Sequence, residues 1–258
     1  MIKLNDIREL VAVCDGERVF IDKRIQVKGR ACMTLLPDFF LVVVYNMSEE
    51  DVALLRNKKV LKICTKENAV ICSGEVEDIY SHYDGTNQIF EVSISDGQTF
   101  WESRINKTVG GGASFSTTLL NILEGARMGS YLADDIRFVR GQTFVGRLAD
   151  AVLSIVKGVS ARAFISDNVL HVVAKERSEI IVKIMEDDLV EDPNYANGVC
   201  IVKTGVKSWP VGMLHELRDK RYRLVSKTIS ADTFRGDWQV ELILVDEDEL
   251  DKDGMEGG

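Results

Sequence analysis

The 258-residue sequence has little proline, little histidine and no long hydrophobic run. With three prolines it has no proline-rich linker, so its modules must join through short connections. The longest strongly apolar stretch covers residues 39–45, far below the roughly 20 residues of a membrane-spanning helix. The first ten residues also lack the apolar segment of a signal peptide. We therefore expect a chain that is made and folded in the cytoplasm.

The sequence also lacks paired cysteines. Its five cysteines are Cys14, Cys32, Cys64, Cys72 and Cys200, and no two of them form a C-x-x-C motif. Most of them have apolar neighbours, which is typical of small buried side chains in a reducing compartment. The sequence therefore predicts neither a disulfide framework nor a zinc site.

The formal net charge of −9 comes from two acidic segments. Residues 246–258 hold seven acids and one lysine, and residues 186–192 hold five acids. The rest of the chain is close to neutral and has no basic stripe, which argues against a dedicated nucleic-acid-binding protein. We interpret residues 248–258 as a disordered, solubilising tail, and a docking segment is the alternative interpretation.

Strand patterns dominate the first hundred residues. Residues 10–14 and 19–27 predict two strands, and the continuous apolar run at 39–45 suits a strand that is buried on both faces. Ser48, with an acidic residue three positions later, predicts the start of a short helix.

Two hairpins are predicted, one near each end of the chain. The first pairs residues 69–80 with 88–95, and the second pairs residues 221–229 with 238–245. Each ends in a strand of alternating polarity that is followed by an aspartate. We expect equivalent hairpins in two similar β-barrels, although chance similarity of any two hairpins is the alternative.

The middle of the chain has the pattern of a compact α/β module. Three glycines at residues 110–112 precede a short predicted helix that ends near residue 124. Apolar residues at helical spacing predict a longer helix over residues 143–157, and a hairpin is predicted over residues 161–174.

These elements predict a mainly β fold with an α+β insert, in which two small tube-like β-barrel domains flank an α/β module. The predicted boundaries are 1–100 for the first β-barrel domain, 101–190 for the insert, 191–247 for the second β-barrel domain and 248–258 for the acidic tail.

No set of residues has the spacing of a catalytic or metal site. His82, His171 and His215 are isolated, which favours packed or solvated side chains over ligands. Ser154 and Lys157 fit the S-x-x-K pattern but lie on the predicted polar face of a helix, without the companion motifs of that chemistry.

Glycine and acidic clusters are similarly uninformative. The glycines at 110–112 lack the GK[ST] ending of a phosphate-binding loop and predict a hinge. The pairs Asp134–Asp135 and Asp187–Asp188 could bind a cation, but acids in loops are normally solvated. We therefore expect no catalytic, cofactor-binding or metal-binding residues, no cofactor, and a protein that is not an enzyme.

Five stretches of sequence carry a family resemblance when taken in order. They are LVVVYNMSEE (41–50), SGEVEDI (73–79), VSISDGQ (92–98) with the Gly/Ser stretch at 110–117, RGQTF (140–144) and the hairpin at 222–246 with DTFRGDW at its turn. This series resembles the hub proteins of phage tail baseplates. That trimeric ring family is also similar to the first part of type VI secretion spike proteins.

The resemblance covers residues 1 to about 247 and implies a structural role. Three chains with two barrels each would form a six-barrel ring that joins a six-fold tail tube to a three-fold spike. The implied partners are copies of the chain itself, the tail tube protein, the tail spike and other baseplate subunits, and DNA would pass through the channel without specific binding. The implied location is the virion tail baseplate, after synthesis in the host bacterial cytoplasm.

Two other functions compete with this hypothesis. A receptor- or glycan-binding tail module would also be rich in strands, and it should expose aromatic side chains in loops. Its candidates here are Trp101, Trp209, Trp238 and Phe234, although core or interface positions suit them better. A hydrolase would need a convergent set of reactive residues, which the sequence does not indicate.

Overall fold

The computed structural model describes residues 8–20, 22–56, 60–123, 129–132, 141–158, 161–174 and 181–250. The first nine strands are β1 (Leu10–Cys14), β2 (Glu17–Val19), β3 (Ile25–Cys32), β4 (Asp38–Tyr45), β5 (Val60–Thr65), β6 (Val70–Asp84), β7 (Asn87–Asp96), β8 (Arg104–Val109) and β9 (Gly129–Leu132). The other nine are β10 (Gln142–Arg147), β11 (Ala161–Ser166), β12 (Val169–Ala174), β13 (Ile181–Lys183), β14 (Asn194–Ala196), β15 (Val199–Thr204), β16 (Leu214–Leu217), β17 (Lys220–Asp232) and β18 (Trp238–Asp246). The helices are α1 (Glu49–Leu55), α2 (Gln98–Glu102), α3 (Phe115–Leu123), α4 (Leu148–Lys157) and α5 (Glu247–Leu250), and a 3-10 turn covers Glu186–Asp188.

The described residues divide into two compact units. Unit 1 contains residues 8–32, 39–95 and 181–250, so it combines the first and last parts of the chain. Unit 2 contains residues 33–38 and the described residues between 96 and 174. The predicted class, mainly β with an α/β insert, is confirmed.

One large sheet forms the frame of unit 1. Its strands follow the order β14-β15-β18-β17-β3-β4-β7-β6-β5-β1-β2, with β16 also paired to β17 and β13 paired to β16. The strands from the two ends of the chain are joined through the antiparallel pair β3–β17. This path is open among the described strands, so closure into two barrels stays a prediction.

The two predicted hairpins are present and share a local irregularity. The pair β6–β7 shifts register between Val76 and Asp78, and β17–β18 shifts between Leu224 and Ser226. The extra residues are Glu77 in β6 and Val225 in β17, and both lie at the same distance from the aspartate that ends the partner strand, Asp96 or Asp246. A β-bulge at the same place in both hairpins gives both strands a bend and extra twist at that point. Their internal similarity therefore extends from sequence to register.

Strand β4 differs from its prediction because only one of its faces is buried. Phe40, Val42 and Val44 are at most 4% exposed, whereas Phe39 is 58% exposed and Leu41 is half-buried. An apolar run predicts a strand buried on both faces only if another layer covers the second face. In unit 1 that second face is open.

The cysteines and the start of α1 follow their predictions. Cys14, Cys64, Cys72 and Cys200 are buried, and the fifth cysteine is half-buried. Ser48 is the N-cap of α1, where its hydroxyl accepts the backbone N–H of a residue three positions later.

Unit 2 is a small α/β core. Strands β8 and β10 pair with each other, and β11, β12 and β9 form a separate three-stranded sheet. Helix α4 buries one face against this core, as its amphipathic pattern predicts. The buried side chains around it include Phe100, Leu119, Ile122, Ile165 and Leu170.

Helix α4 begins five residues later than predicted. Residues 143–147 belong to β10, where Thr143 and Val145 pair with β8 and suit a strand because they are β-branched. Gly146 has φ +122°, which a right-handed helix cannot contain. The backbone N–H of Leu148 then donates to Ser103 O, so the helix starts there.

Other elements were predicted with wrong bounds or were not predicted. The strand expected over residues 19–27 is interrupted, because Phe20 and Asp22 have positive φ and the chain turns between β2 and β3. Helix α2 and strand β8 were not predicted. Helix α5 takes in residues 248–250 of the segment predicted to be a disordered tail, and residues 251–258 lie outside the described residues.

The Asp96–Gly97 pair anchors the β11–β12 hairpin within unit 2. The Asp96 carboxylate accepts the backbone N–H groups of Asp167 and Asn168, both at 2.7 Å, and so fixes the hairpin turn. Gly97 has φ +89°, and a Cβ there would lie 2.8 Å from Ile165 Cδ1. The Asp96-Gly97 motif, which is part of the family resemblance, therefore fixes the position of the β11–β12 turn.

We predict that Gly97→Ala destabilises unit 2 more than Gly112→Ala does. Both glycines belong to unit 2 and have similar φ, +89° and +83°, but a Cβ at Gly112 would meet nothing within 4 Å. Each substitution should lower the free energy of unfolding by roughly 1–2 kcal/mol, because alanine is strained in the left-handed backbone conformation. Gly97→Ala should lose about 1–3 kcal/mol more because it overpacks Ile165. Urea unfolding measures both, and equal losses would contradict the close-contact argument.

Candidate functional site: an assembly surface

The three histidines are packed against aromatic rings. His82 stacks on Tyr80, and His171 stacks on Phe164 with the ring centroids 5.0 Å apart. His215 lies 6.0 Å from the ring of Trp209. The three histidines do not converge on a common site, and they occupy packing positions.

The remaining described sequence candidates lie on separate elements. Ser154 and Lys157 are exposed on α4, and residues 110–112 lie in an exposed loop between β8 and α3. Asp188 pairs with Lys207 and accepts the backbone N–H of Met185. Residues 134 and 135 lie outside the described residues. Within the part of the chain that the structure describes, no group of three or more His, Cys, Asp or Glu side chains could hold a metal ion.

The four aromatic candidates occupy different environments. Trp209 is buried, and Trp101 and Trp238 are half-buried, each with an arginine guanidinium over its ring. Phe234 is 64% exposed, with the guanidinium groups of Arg24 and Arg235 each 5.3 Å from its ring centroid. These side chains do not form a shared aromatic platform.

Unit 1 contains buried basic residues that sequence reasoning missed. Lys227 is 3% exposed and its Nζ donates to Ile71 O at 2.9 Å. Arg223 is 2% exposed and donates to Gly212 O and to the Glu247 carboxylate. Alternation from the start of β17 would put Lys227 on the opposite face. The bulge, which has no sequence signal, turns it inward.

These cations influence His215, which is fully buried on β16. Burial, together with the nearby positive charges of Lys227 and Arg223, lowers the pKa of His215 to about 4. Because its Nδ1 donates to Met213 O, the ring is held as one neutral tautomer. The cluster is a neutral imidazole beside two paired cations, which suits a packed core.

The most extensive functional feature is the open face of the large sheet. Here "outer face" means the side of strands β15, β18, β17, β3 and β4 that points away from the core of unit 1. One row of paired residues crosses all five strands: Lys203, Glu241, Thr228, Arg30 and Phe39. Consecutive strands are about 4.8 Å apart, so β15 and β4 lie roughly 19 Å apart along the sheet.

Two apolar stripes lie on this outer face. The β4 stripe consists of Phe39, Leu41, Val43 and Tyr45. The β15–β18 stripe consists of Val199, Ile201, Ile243 and Val245, which pair across the two strands. Phe39 and Ile201 are exposed and the other six side chains are half-buried, so none of the eight is buried as a core side chain is. Exposed apolar patches bounded by polar residues mark interaction surfaces.

A polar band separates the stripes. It consists of Thr228 and Ser230 on β17 with Lys28 and Arg30 on β3. The two stripes therefore lie on one continuous sheet face, displaced from each other along the strands, with the polar band between them. This arrangement can bind other protein surfaces.

Comparisons with solved structures identify this fold. The tail protein of Neisseria meningitidis MC58 superposes with a TM-score of 0.64 at 10% identity, covering 92% of this chain and 96% of that one. The 43 kDa tail protein of prophage MuSo2 from Shewanella oneidensis gives 0.66 at 8% identity, covering 93% and 98%. The chain has the fold of these two tail proteins.

A third structure extends the comparison to secretion systems. An E. coli component of the type VI secretion system gives a TM-score of 0.61 at 10% identity, covering 91% of this chain and 76% of that one. That protein is described as structurally similar to the T4 bacteriophage tail proteins gp27 and gp5. The fold named by the sequence resemblance is therefore confirmed.

Sequence comparisons add nothing to this assignment. No protein-family model matches the chain, and no curated protein sequence matches it. Of the helices that the structure describes, none has the length and apolar character needed to cross a membrane.

We predict that His215 makes unit 1 less stable in acid. The unfolded pKa is 6.5 and the folded pKa is about 4, so the unfolded state binds more protons between these values. The contribution of His215 to the free energy of unfolding is therefore fully present above pH 6.5. About 3 kcal/mol is lost as the pH falls towards 4. His215→Asn, which does not titrate in this range, should remove that loss when urea unfolding is measured at pH 7 and pH 4.

Comparing the wild type with His215→Asn separates the pH effect of His215 from that of Asp96. Burial, followed by the charge of Asp167, raises the pKa of Asp96 to about 7. Stability from Asp96 is therefore present below its unfolded pKa of 3.8 and is lost as pH rises through 7, the opposite slope. That contribution is the same in both proteins and cancels. Identical pH profiles for the wild type and His215→Asn would contradict the prediction.

Proposed function

We propose that this protein is a structural, non-catalytic hub subunit of a phage or prophage tail baseplate. The observation that carries the proposal is the fold itself, which covers more than 90% of this chain and almost all of two phage tail proteins. The outer face supports it, because its apolar stripes suit binding to other subunits and carry no reactive group.

The proposed assembly is a homotrimeric ring with pseudo-six-fold symmetry, which joins the tail tube to the central spike and surrounds the DNA channel. The paired hairpins support this arrangement, because their matching bulges suit two equivalent barrel domains in each chain, 1–100 and 191–247, around the insert 101–190. Three such chains present six similar surfaces to a six-fold tube and three to a spike.

The proposed partners are copies of the chain, the tail tube protein, the spike and neighbouring baseplate subunits. DNA would pass through the ring without specific binding, in keeping with the near-neutral body of the chain. The proposed location is the virion tail, after synthesis in the host bacterial cytoplasm.

We predict that the purified chain forms trimers as its concentration rises. Size-exclusion chromatography with light scattering should give a mass three times 28.8 kDa. Negative-stain electron microscopy of that fraction should show rings with a six-fold outline and a central opening. A particle that is a dimer or a monomer at every concentration would overturn the ring.

A further inference from the structure

The two ends of the large sheet offer little surface for assembly. Its edge strands β2 and β14 have three residues each, and short edges are a common protection against strand pairing between chains. The β4 stripe and the β15–β18 stripe are larger, apolar and open. A contact between copies is therefore better placed on the outer face than at the strand edges.

The two stripes have flanks of opposite charge. The β4 stripe borders β3, where the exposed side chains of Lys28 and Arg30 lie opposite Leu41 and Phe39. These residues give the flank of the β4 stripe a positive charge.

The β15–β18 stripe borders an acidic flank. Glu241 on β18 lies opposite Lys203, and Glu191 forms a 2.9 Å ion pair with the same lysine. The acidic segment that the sequence singled out runs beside β15, because Val190 N donates to Lys203 O. Its Asp192 side chain is 97% exposed. On this flank the three acids Glu241, Glu191 and Asp192 face two cations, Lys203 and Arg218, the second of which lies 3.6 Å from Asp192.

We propose that the β4 stripe of one copy packs against the β15–β18 stripe of the next copy. The contact rests on the ring proposed above and specifies which surfaces close it. Apolar stripe covers apolar stripe, while Lys28 and Arg30 approach the acidic flank that contains Glu241. Such charge complementarity favours the correct register between subunits.

A two-fold arrangement of the same stripes is less favourable. Because both stripes lie on one face, a two-fold contact would place the polar band of each copy at its centre. All four side chains of the polar band would then lose water in both copies, and polar groups that lose water without new hydrogen bonds cost free energy. A head-to-tail contact leaves Thr228 and Ser230 in water, and head-to-tail contacts close into a ring when the rotation between copies allows it.

The test uses one variant in each stripe and a matched control between them. Phe39→Asp and Ile201→Asp place a charge at the most exposed position of each stripe, where the side chains are 58% and 38% exposed. Each should weaken self-association of the full chain roughly a hundredfold, because a carboxylate would be buried against apolar groups. Thr228→Asp puts the same charge on the polar band and should leave the trimer intact.

Mixing separates the head-to-tail contact from other arrangements. Each variant keeps one intact stripe, so an equimolar mixture of Phe39→Asp and Ile201→Asp should form dimers that cannot add a third chain. Sedimentation velocity measures the species, and circular dichroism checks that each variant is folded. If an aspartate variant is unfolded, Phe39→Ser and Ile201→Ser replace the pair, with an expected weakening of at least tenfold.

The outcomes distinguish this contact from the ring itself. If the wild type is trimeric and both stripe variants remain trimeric, the stripe contact is wrong and the ring stands. If the wild type stops at a dimer that Thr228→Asp dissociates, the contact is two-fold and both proposals are wrong. A wild type that is monomeric at every concentration also overturns both.

Discussion

The pairing of β3 with β17 is the contact on which the rest of unit 1 depends. Seven residue pairs join segments that are about 200 positions apart in the chain, from Cys32 with Ser226 to Gln26 with Asp232. Side chains reinforce the end of the ladder, where Arg24 makes two hydrogen bonds to the Asp232 carboxylate. Without this pairing the two hairpin regions would be separate small sheets, and the two stripes would share no face.

This long-range pairing explains how two marginal hairpins become one stable frame. An isolated hairpin buries too little surface to be stable in water, and three or more strands with a covered face are needed. Each hairpin of unit 1 instead supplies strands to one sheet, and Lys227 links β17 to the β6 carbonyl of Ile71. The bulge in each hairpin bends the strand at the same point, so the similarity between the two regions includes their curvature.

Sequence patterns predicted the helices and strands that show a regular repeat of apolar and polar residues. They missed the features that depend on contacts between residues far apart in the chain. Both hairpins were predictable, because the second strand of each has alternating polarity and a polar turn precedes it. The inward position of Lys227 was not predictable. A β-bulge reverses the alternation of inward and outward side chains along a strand, and no residue type marks it in the sequence. Helix α4 was extended into β10, because Phe144 has the same place in a helical and a strand pattern, and only the backbone at Gly146 distinguishes them. The openness of the β4 stripe was also unpredictable, because apolarity does not reveal whether a covering layer belongs to the same chain.

A protein that acts through surfaces places different demands on its sequence than an enzyme does. Here the constraints are strand register, the inward face of each strand and a few backbone positions such as Gly97, and many side chains satisfy each of them. This explains how the fold can persist at TM-scores above 0.6 while only 8–10% of residues are identical. Under the proposed role, the information that selects a neighbouring subunit lies in the outer face, in the arrangement of the two apolar stripes around the polar band.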